Sequence, residues 1–278
     1  VFEVGMDKKG EINNLTKITK PDLGIITNIS YAHSKNFKNI NQIAEAKAEI
    51  MNNIQENGSV VLNKDDNFFN YHKNLALKKK LNVISFGLKN KSAMTKIVKI
   101  KKIKNKYELF INVNGLLVSF YSSNDNKSHL YNILATLASI NLFVNIKILK
   151  KDTFLNFKSP SGRGDITEIK LKNKKIFLVD ETYNSNPLSL QTAIENFDKI
   201  ELKNSKKNLI LGDMLELGKH SVKQHKLISK IINKSKINQV YVIGKYIKET
   251  FKGLKQHKKA KIIYNESHII DLINKDLN

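Results

Sequence analysis

Residues 179–187, VDETYNSNP, place two adjacent carboxylates and several hydrogen-bonding side chains directly after an apolar segment. Asp180 and Glu181 could accept hydrogen bonds from ribose hydroxyls or from water bound to a cation, and asparagine offers both a donor and an acceptor. A simpler interpretation is a helix start, because Asn186-Pro187 is a typical N-cap followed by proline at the first helical position. The pattern predicts a helix cap and leaves a nucleotide or cation site open.

Lys47 lies on the apolar face of a helix predicted over residues 43–54, between Ile43 and Ile50. A charged ammonium at such a position is costly unless it is paired. One interpretation is a lysine that extends its amine to solvent at the edge of the apolar face. The other is an amine whose pKa is lowered by burial. A neutral amine can react with carbon dioxide to give an anionic carbamate, which could bind Mg²⁺.

Further acids and one imidazole follow predicted strands. Glu3 ends the apolar VFEVG segment, His33 follows GIITNIS, and Asp213 and Glu216 follow NLILGD. Open α/β sheets bind ligands at the carboxyl ends of their strands, so all four positions are candidates. A lone histidine is more often a structural hydrogen-bonding group, and these positions alone are weak evidence for a site.

Arg163 is the only arginine among 48 basic residues, and it lies between two glycines in SPSGRGD. A planar guanidinium can bind phosphate oxygens in a bidentate manner, which a lysine cannot. The Arg-Gly-Asp triplet also invites an adhesive function. Asp165 leads directly into the predicted strand ITEIKL, however, so we do not favour an exposed adhesive loop.

Elements that alternate between strand and helix must position these side chains, and they predict an α/β fold with a mostly parallel sheet. GIITNIS, SVVLN and NVISFG are the strands of the first half. Residues 96–121 interrupt the alternation, and Asn114-Gly115 is typical of a type I′ hairpin turn. We therefore expect a small antiparallel insert there, followed by a helix from about residue 129 to residue 144.

A segment with serine, proline and glycine at 158–164 predicts a linker between two domains, 1–157 and 158–278. Beyond it, KIFLVD, NLILGD, QVYVIG and AKIIY predict a second, Rossmann-like α/β domain. The linker is a plausible hinge.

The 278 residues carry a formal net charge of +23 and no cysteine, which excludes disulfides and thiolate metal sites. No apolar run approaches the roughly 18 residues that a membrane-spanning helix needs. The lysines are scattered among asparagine and isoleucine without interleaved aromatic residues. We therefore expect a solvated basic surface, with neither nucleic-acid binding nor membrane insertion.

Seven blocks occur in the order and approximate spacing of the Mur ligases, and nearly the whole chain resembles that family. The blocks are FEVG, ITNISYAH, EAKAEIM, LNKDD, SGRGD, DETYNSNP and LGDMLELG. The resemblance implies the C-terminal part of a central ATP-binding domain (1–157), followed by a Rossmann-like ligase domain (158–278). The family's Gly-rich phosphate loop is not in this sequence, so we expect a fragment of a longer protein that is inactive by itself.

The resemblance also implies ATP and two Mg²⁺ ions as cofactors. Glu3 and His33 match positions that hold Mg²⁺ in the family, and Lys47 matches the lysine that is carbamylated there. Lys47, His33 and Arg163 would then form the catalytic set.

For the nucleotide, the resemblance implies contacts from both domains. Asn132, in HLYNILATLA, matches the asparagine near the adenine, and Arg163 matches the arginine that reaches the phosphates. His129 lies three residues before Asn132 instead of the usual four, so it receives no role. The other implied nucleotide contacts are Asp180, Glu181, Tyr183, Asn184 and Asn186.

The last two blocks resemble the branch of the family that joins D-alanyl-D-alanine to UDP-N-acetylmuramoyl-tripeptide through an acyl phosphate. The resemblance implies a cytoplasmic ligase, and we expect a monomer. Two alternatives stay open. One is another Mur ligase or a ligase similar to folylpolyglutamate synthetase, and the other is a non-catalytic basic binding module that keeps the fold.

Overall fold

The protein is described by a computed structural model that divides the chain into two compact units. The first unit comprises Val1–Ser30 and Asn36–Lys158, and the second comprises Tyr31–Lys35 and Ser159–Asn278. None of the described helices is long and apolar enough to cross a membrane. The structure describes residues 1–32, 34–157, 161–171, 174–201 and 205–265.

The first unit contains a six-stranded sheet in the order β1-β2-β3-β4-β5-β6. Its strands are β1 (Leu23–Ile26), β2 (Ser59–Asn63), β3 (Asn82–Gly87), β4 (Thr95–Ile103), β5 (Lys106–Val113) and β6 (Leu116–Ser122). Strands β1 to β4 pair in parallel, and β4, β5 and β6 pair antiparallel.

The predicted antiparallel insert is confirmed, and it extends the parallel sheet instead of forming a separate one. Asn114 and Gly115 connect β5 to β6 with φ of 50° and 91°. Positive φ at both central residues is the geometry of a type I′ turn, whose twist matches that of the flanking strands. The local Asn-Gly signal therefore fixed this hairpin.

Four helices accompany this sheet: α1 (Glu11–Thr19), α2 (Ile40–Ala48), α3 (Phe69–Lys78) and α4 (Lys127–Ile140). The helix predicted over 43–54 is divided, because α2 ends at Ala48 and a 3₁₀ turn, Glu49–Asn52, follows. Helix α4 ends four residues before the predicted end at 144. Its buried face supplies much of the core, which also includes residues of β2, β3, β5 and β6.

The prediction that Glu3 ends a buried strand is wrong. Residues 1–6 have no regular secondary structure, and Glu3 is exposed. A strand requires a neighbour that satisfies its backbone groups. Among the described residues, the sheet ends at β1, and β1 pairs only with β2.

The second unit contains a two-stranded and a three-stranded sheet. Strands β7 (Asp165–Leu171) and β8 (Lys174–Asp180) form an antiparallel pair. Strands β9 (Asn208–Leu211), β10 (Gln239–Ile243) and β11 (Lys259–Ile263) are parallel, in the order β11-β10-β9. The described part of β8 therefore pairs with β7, although the alternation in the sequence suggested one continuous parallel sheet.

Helices α5 (Pro187–Lys199), α6 (Ser221–Lys234) and α7 (Lys248–Lys252) complete the second unit. Its core contains apolar side chains from α5, β9, α6 and β10. Fully buried members include Ile194, Leu211, Ile228, Ile232 and Val240.

Candidate functional site

Lys47, near the end of α2, is half-buried, and its Nζ donates a hydrogen bond to the backbone oxygen of Asn28 at 3.2 Å. Burial lowers the pKa of Lys47, and the negative charge of Asp66 offsets part of that change. A lowered pKa increases the fraction of neutral amine, which is the form that attacks carbon dioxide. The surroundings of Lys47 therefore fit the carbamate that the resemblance implies.

The chain that leaves β1 is held by side chains that follow β2. Asp66 accepts a hydrogen bond from the backbone N–H of Ile29 at 2.7 Å. Asn63 donates from its Nδ2 to the backbone oxygen of Thr27 at 3.0 Å. The carboxyl ends of parallel neighbours lie at one edge of a sheet, so these contacts fix the segment at the edge where ligands bind.

Asp65 performs a similar task on the other side of β2. Its carboxylate accepts hydrogen bonds from three consecutive backbone N–H groups, those of residues 88–90, at 2.6, 2.8 and 2.7 Å. It also accepts one from the Tyr131 hydroxyl at 2.9 Å. Burial and this contact raise the pKa of Tyr131, which keeps the hydroxyl protonated as a donor.

This network reaches the candidate adenine contact. Asn132 follows Tyr131 on α4 and is exposed. Asp65 therefore fixes the helix on which Asn132 lies. The sequence had shown Asp65 and Asp66 only as part of the LNKDD block, although two acids directly after a buried strand are themselves a signal for such anchors.

The predicted metal ligands are not assembled by the described residues. Glu3 is exposed on a segment without regular structure, and His33 lies outside the described residues. In the described part of the chain, no group of three or more histidine, aspartate or glutamate residues is placed to hold a metal ion. Of the three predicted ligands, only Lys47 has surroundings that fit its role.

Arg163 and Tyr183 lie together in the second unit. The guanidinium carbon of Arg163 is 4.4 Å from the centroid of the Tyr183 ring, within the range of a cation–π interaction. Gly162 has a φ of 77°, and a Cβ on it would lie 2.9 Å from the backbone nitrogen of Tyr183. Glycine is required here because the two backbones approach closely, and this approach brings Arg163 to the ring.

The paired carboxylates lie beside the same turn. The backbone N–H of Gly164 donates to the backbone oxygen of Asp180 at 2.7 Å. The Thr182 hydroxyl and backbone N–H both donate to the Asp180 carboxylate, and they lower its pKa. Partial desolvation, followed by the charges of Asp180 and Asp165, raises the pKa of Glu181. The two adjacent acids therefore differ in their affinity for a proton.

Asn186 confirms the predicted helix cap of α5. Its side-chain oxygen accepts from the backbone N–H groups of Leu188 and Ser189 at 3.0 and 3.1 Å, and the Ser189 hydroxyl accepts from the Asn186 N–H. This reciprocal arrangement is a capping box. Because the cap uses the Asn186 oxygen, its amide N–H₂ is the group left for a ligand, whereas Asn184 is exposed.

Asp213, a candidate at the end of β9, is a structural anchor. It accepts from the backbone N–H groups of Lys245 and Ile247 at 2.9 and 2.7 Å. A Cβ on Gly244 would lie 2.6 Å from the Asp213 carboxylate. Asp213 thus joins the segments that follow β9 and β10. Glu216 has a φ of 60°, and its backbone oxygen accepts from the Lys35 N–H at 2.8 Å.

Comparison with known proteins agrees with this arrangement of sheet and strand-end contacts. The family model of the Mur ligase middle domain matches residues 1–140. The chain therefore belongs to the Mur ligase family.

Among curated relatives, the similarity is to one kind of Mur ligase. The chain is 32% identical over 282 residues to the UDP-N-acetylmuramoyl-tripeptide–D-alanyl-D-alanine ligase of Buchnera aphidicola subsp. Baizongia pistaciae, covering 100% of this chain and 58% of the relative. It is 30% identical over 279 residues to the ligase of the same name from Rickettsia prowazekii, covering 98% and 60%. The chain thus spans about three fifths of the length of these relatives.

Solved structures show the same fold. The crystal structure of MurF from Acinetobacter baumannii matches with a TM-score of 0.81 at 20% identity, covering 99% of this chain and 58% of that chain. The crystal structure of MurF ligase from Thermotoga maritima in complex with ADP matches with a TM-score of 0.79 at 23% identity, covering 98% and 60%.

Proposed function

We propose that this chain is part of an ATP-dependent amide ligase that adds D-alanyl-D-alanine to UDP-N-acetylmuramoyl-tripeptide during the synthesis of peptidoglycan precursors. The observation that carries the proposal is the similarity, over essentially the whole chain, to relatives named for this reaction. That similarity covers both units. We expect the whole protein to act in the cytoplasm as a monomer.

In the proposed reaction, a carboxylate oxygen of the tripeptide attacks the γ-phosphorus of ATP, and the bond to the bridging oxygen breaks to release ADP. The amine of D-alanyl-D-alanine then attacks the carbonyl carbon of the acyl phosphate. The tetrahedral intermediate expels inorganic phosphate, and the amine loses a proton to leave an amide. Phosphorylation is needed because a free carboxylate oxygen is a poor leaving group.

Arg163 is the residue that we assign to the phosphates. Its guanidinium is exposed, and the contact with the Tyr183 ring restricts its direction without using its N–H donors. Those donors stay free for a bidentate contact with phosphate oxygens. Asp180, Glu181 and Asn184 line the same turn, and we assign them to the nucleotide together with Asn132 and Asn186.

Lys47 is assigned as the carbamylated lysine. Carbamylation would replace a positive charge with a negative one at a half-buried site, where a lowered pKa already disfavours the ammonium form. Mg²⁺ with Glu3 and His33 as ligands belongs to the proposal through the family resemblance alone. When bound, the metal would neutralise the charges of the crowded phosphates.

The proposal is tested on the longer protein that contains this chain, by phosphate release from ATP in the presence of UDP-N-acetylmuramoyl-tripeptide. D-alanyl-D-alanine is compared with single amino acids at the same concentration. Release that depends on the dipeptide and on the tripeptide is the expected result. Release with a single amino acid would indicate another ligase of the family, and no release with any acceptor would indicate a non-catalytic relative.

A further inference from the structure

Five residues, Tyr31–Lys35, pack with the second unit, although their chain neighbours Ser30 and Asn36 belong to the first. The backbone N–H of Lys35 donates to the backbone oxygen of Glu216 at 2.8 Å. The Tyr31 ring lies 5.1 Å from the His220 ring, centroid to centroid, and packs against the core of the second unit. This segment is therefore attached to the loop of residues 216–220.

Gly218 makes that attachment possible. A Cβ on Gly218 would lie 2.8 Å from the Cα of Lys35 and 3.0 Å from its Cβ, which is closer than ordinary packing allows. The atoms nearest to it are the backbone and Cβ of Lys35, so no flexible side-chain end could move aside. Gly218 also has a φ of 52°, in the left-handed region that favours glycine. Two independent constraints thus require glycine at this position.

The chain is held on both sides of His33. Before it, the Ile29 N–H is bound by Asp66 at 2.7 Å. After it, the Lys35 N–H is bound by Glu216 at 2.8 Å. Few backbone conformations connect two anchors that are six residues apart in the chain, so holding both ends restricts the residues between them.

We propose that the loop of residues 216–220 is a positioning element for the segment Tyr31–Lys35, and through it for His33. This assignment rests on the proposed function, because it gives the loop a purpose only if His33 takes part in the reaction. It assigns the LELG part of LGDMLELG to a backbone contact. Gly218 and Glu216 are then positioning residues and not catalytic ones.

The first measurement is amide hydrogen exchange on this chain, which does not depend on activity. The Lys35 amide should exchange about tenfold more slowly in the wild type than in Gly218→Ala, because the added methyl group separates Lys35 from Glu216. Gly218→Asn separates the two constraints, since asparagine tolerates positive φ but still brings a Cβ against Lys35. Lys219→Ala, at an exposed neighbouring position, is the matched control and should exchange like the wild type.

The second measurement is ligation by the longer protein. Gly218→Ala and Gly218→Asn should each lower kcat about 100-fold, with thermal unfolding temperatures close to that of Lys219→Ala, because small displacements at a reaction centre have large effects on rate. The Mg²⁺ concentration for half-maximal rate should also rise, and a purely structural turn would not change it. Unchanged Lys35 exchange in both Gly218 variants would overturn the proposal.

Lost Lys35 protection with full ligation activity would also overturn it. If the wild-type parent protein lacks ligation activity altogether, the proposed function fails, whereas the attachment of the segment is still decided by exchange. The two failures are therefore distinguishable.

Discussion

The two regions assigned to the nucleotide site are built differently. In the first unit, Lys47, Asp65 and Asp66 are half-buried, and each side chain makes hydrogen bonds to backbone groups. In the second unit, Arg163 and Tyr183 are exposed, and backbone bonds at neighbouring glycines determine their positions. Substitutions in the first region should therefore change the folding of the chain, whereas substitutions in the second should change the reaction alone.

Lys47→Ala tests whether a half-buried residue can be purely chemical, and it carries the largest expected effect. Ligation by the longer protein should fall by about 1,000-fold or more, because the variant has no amine to carbamylate. Added bicarbonate or a short carboxylic acid should partly restore the rate. The free energy of unfolding should not fall, since the variant removes a charge from a site where it is disfavoured.

Lys38→Ala, at an exposed position just before α2, is the control and should retain full activity. Activity of Lys47→Ala similar to that of the wild type would end the carbamate assignment.

Asp65→Ala measures the structural side of the comparison. The substitution leaves three backbone N–H groups and the Tyr131 hydroxyl without their acceptor, so we expect a loss of about 3 kcal/mol in the free energy of unfolding. Urea unfolding of this chain would measure it, with Asp125→Ala at an exposed position as the control. A loss below about 1 kcal/mol would mean that water replaces the carboxylate easily.

Arg163→Lys examines the exposed region. Lysine keeps the charge but loses the planar pair of donors, so kcat/KM of the longer protein should fall by about 100-fold. Thermal unfolding should change little, because an exposed side chain contributes little to stability. Normal activity would refute the guanidinium assignment, and a large drop in stability would contradict the contrast between the two regions.

His72 gives the smallest effect. Its Nε2–H donates to the backbone oxygen of Ala44 at 3.0 Å, and burial lowers the pKa of His72 below that of the unfolded chain. The unfolded state then binds the proton more tightly, so stability is complete above about pH 6.5 and is lost as the pH falls through the folded pKa.

Between pH 7 and pH 5, the free energy of unfolding should therefore fall more in the wild type than in His72→Gln, by on the order of 1 kcal/mol. Glutamine keeps a donor for Ala44 and does not titrate. Equal slopes for the two proteins would show that His72 is solvated.

Sequence reasoning succeeded where the signal is local. The Asn114-Gly115 turn, the Asn186 cap and the strands of the first sheet were predicted because turn chemistry and apolar patterns act over a few residues. It failed for residues 1–6, where an apolar run has no neighbouring strand in the described structure. It also suggested Asp213 as a candidate site residue, because strand-end position alone does not distinguish a ligand contact from a backbone anchor.

The sequence by itself determined the α/β class, the antiparallel insert and the family blocks that carry Lys47, Arg163 and the paired acids. Only the tertiary structure decided how these residues are held, such as the contacts of Asp65 with residues 88–90 and Tyr131. It also decided that Gly218 is required by Lys35. The physical reason is distance along the chain: a turn or a helix face is set by neighbouring residues, whereas these partners meet only after the sheet and its loops have folded.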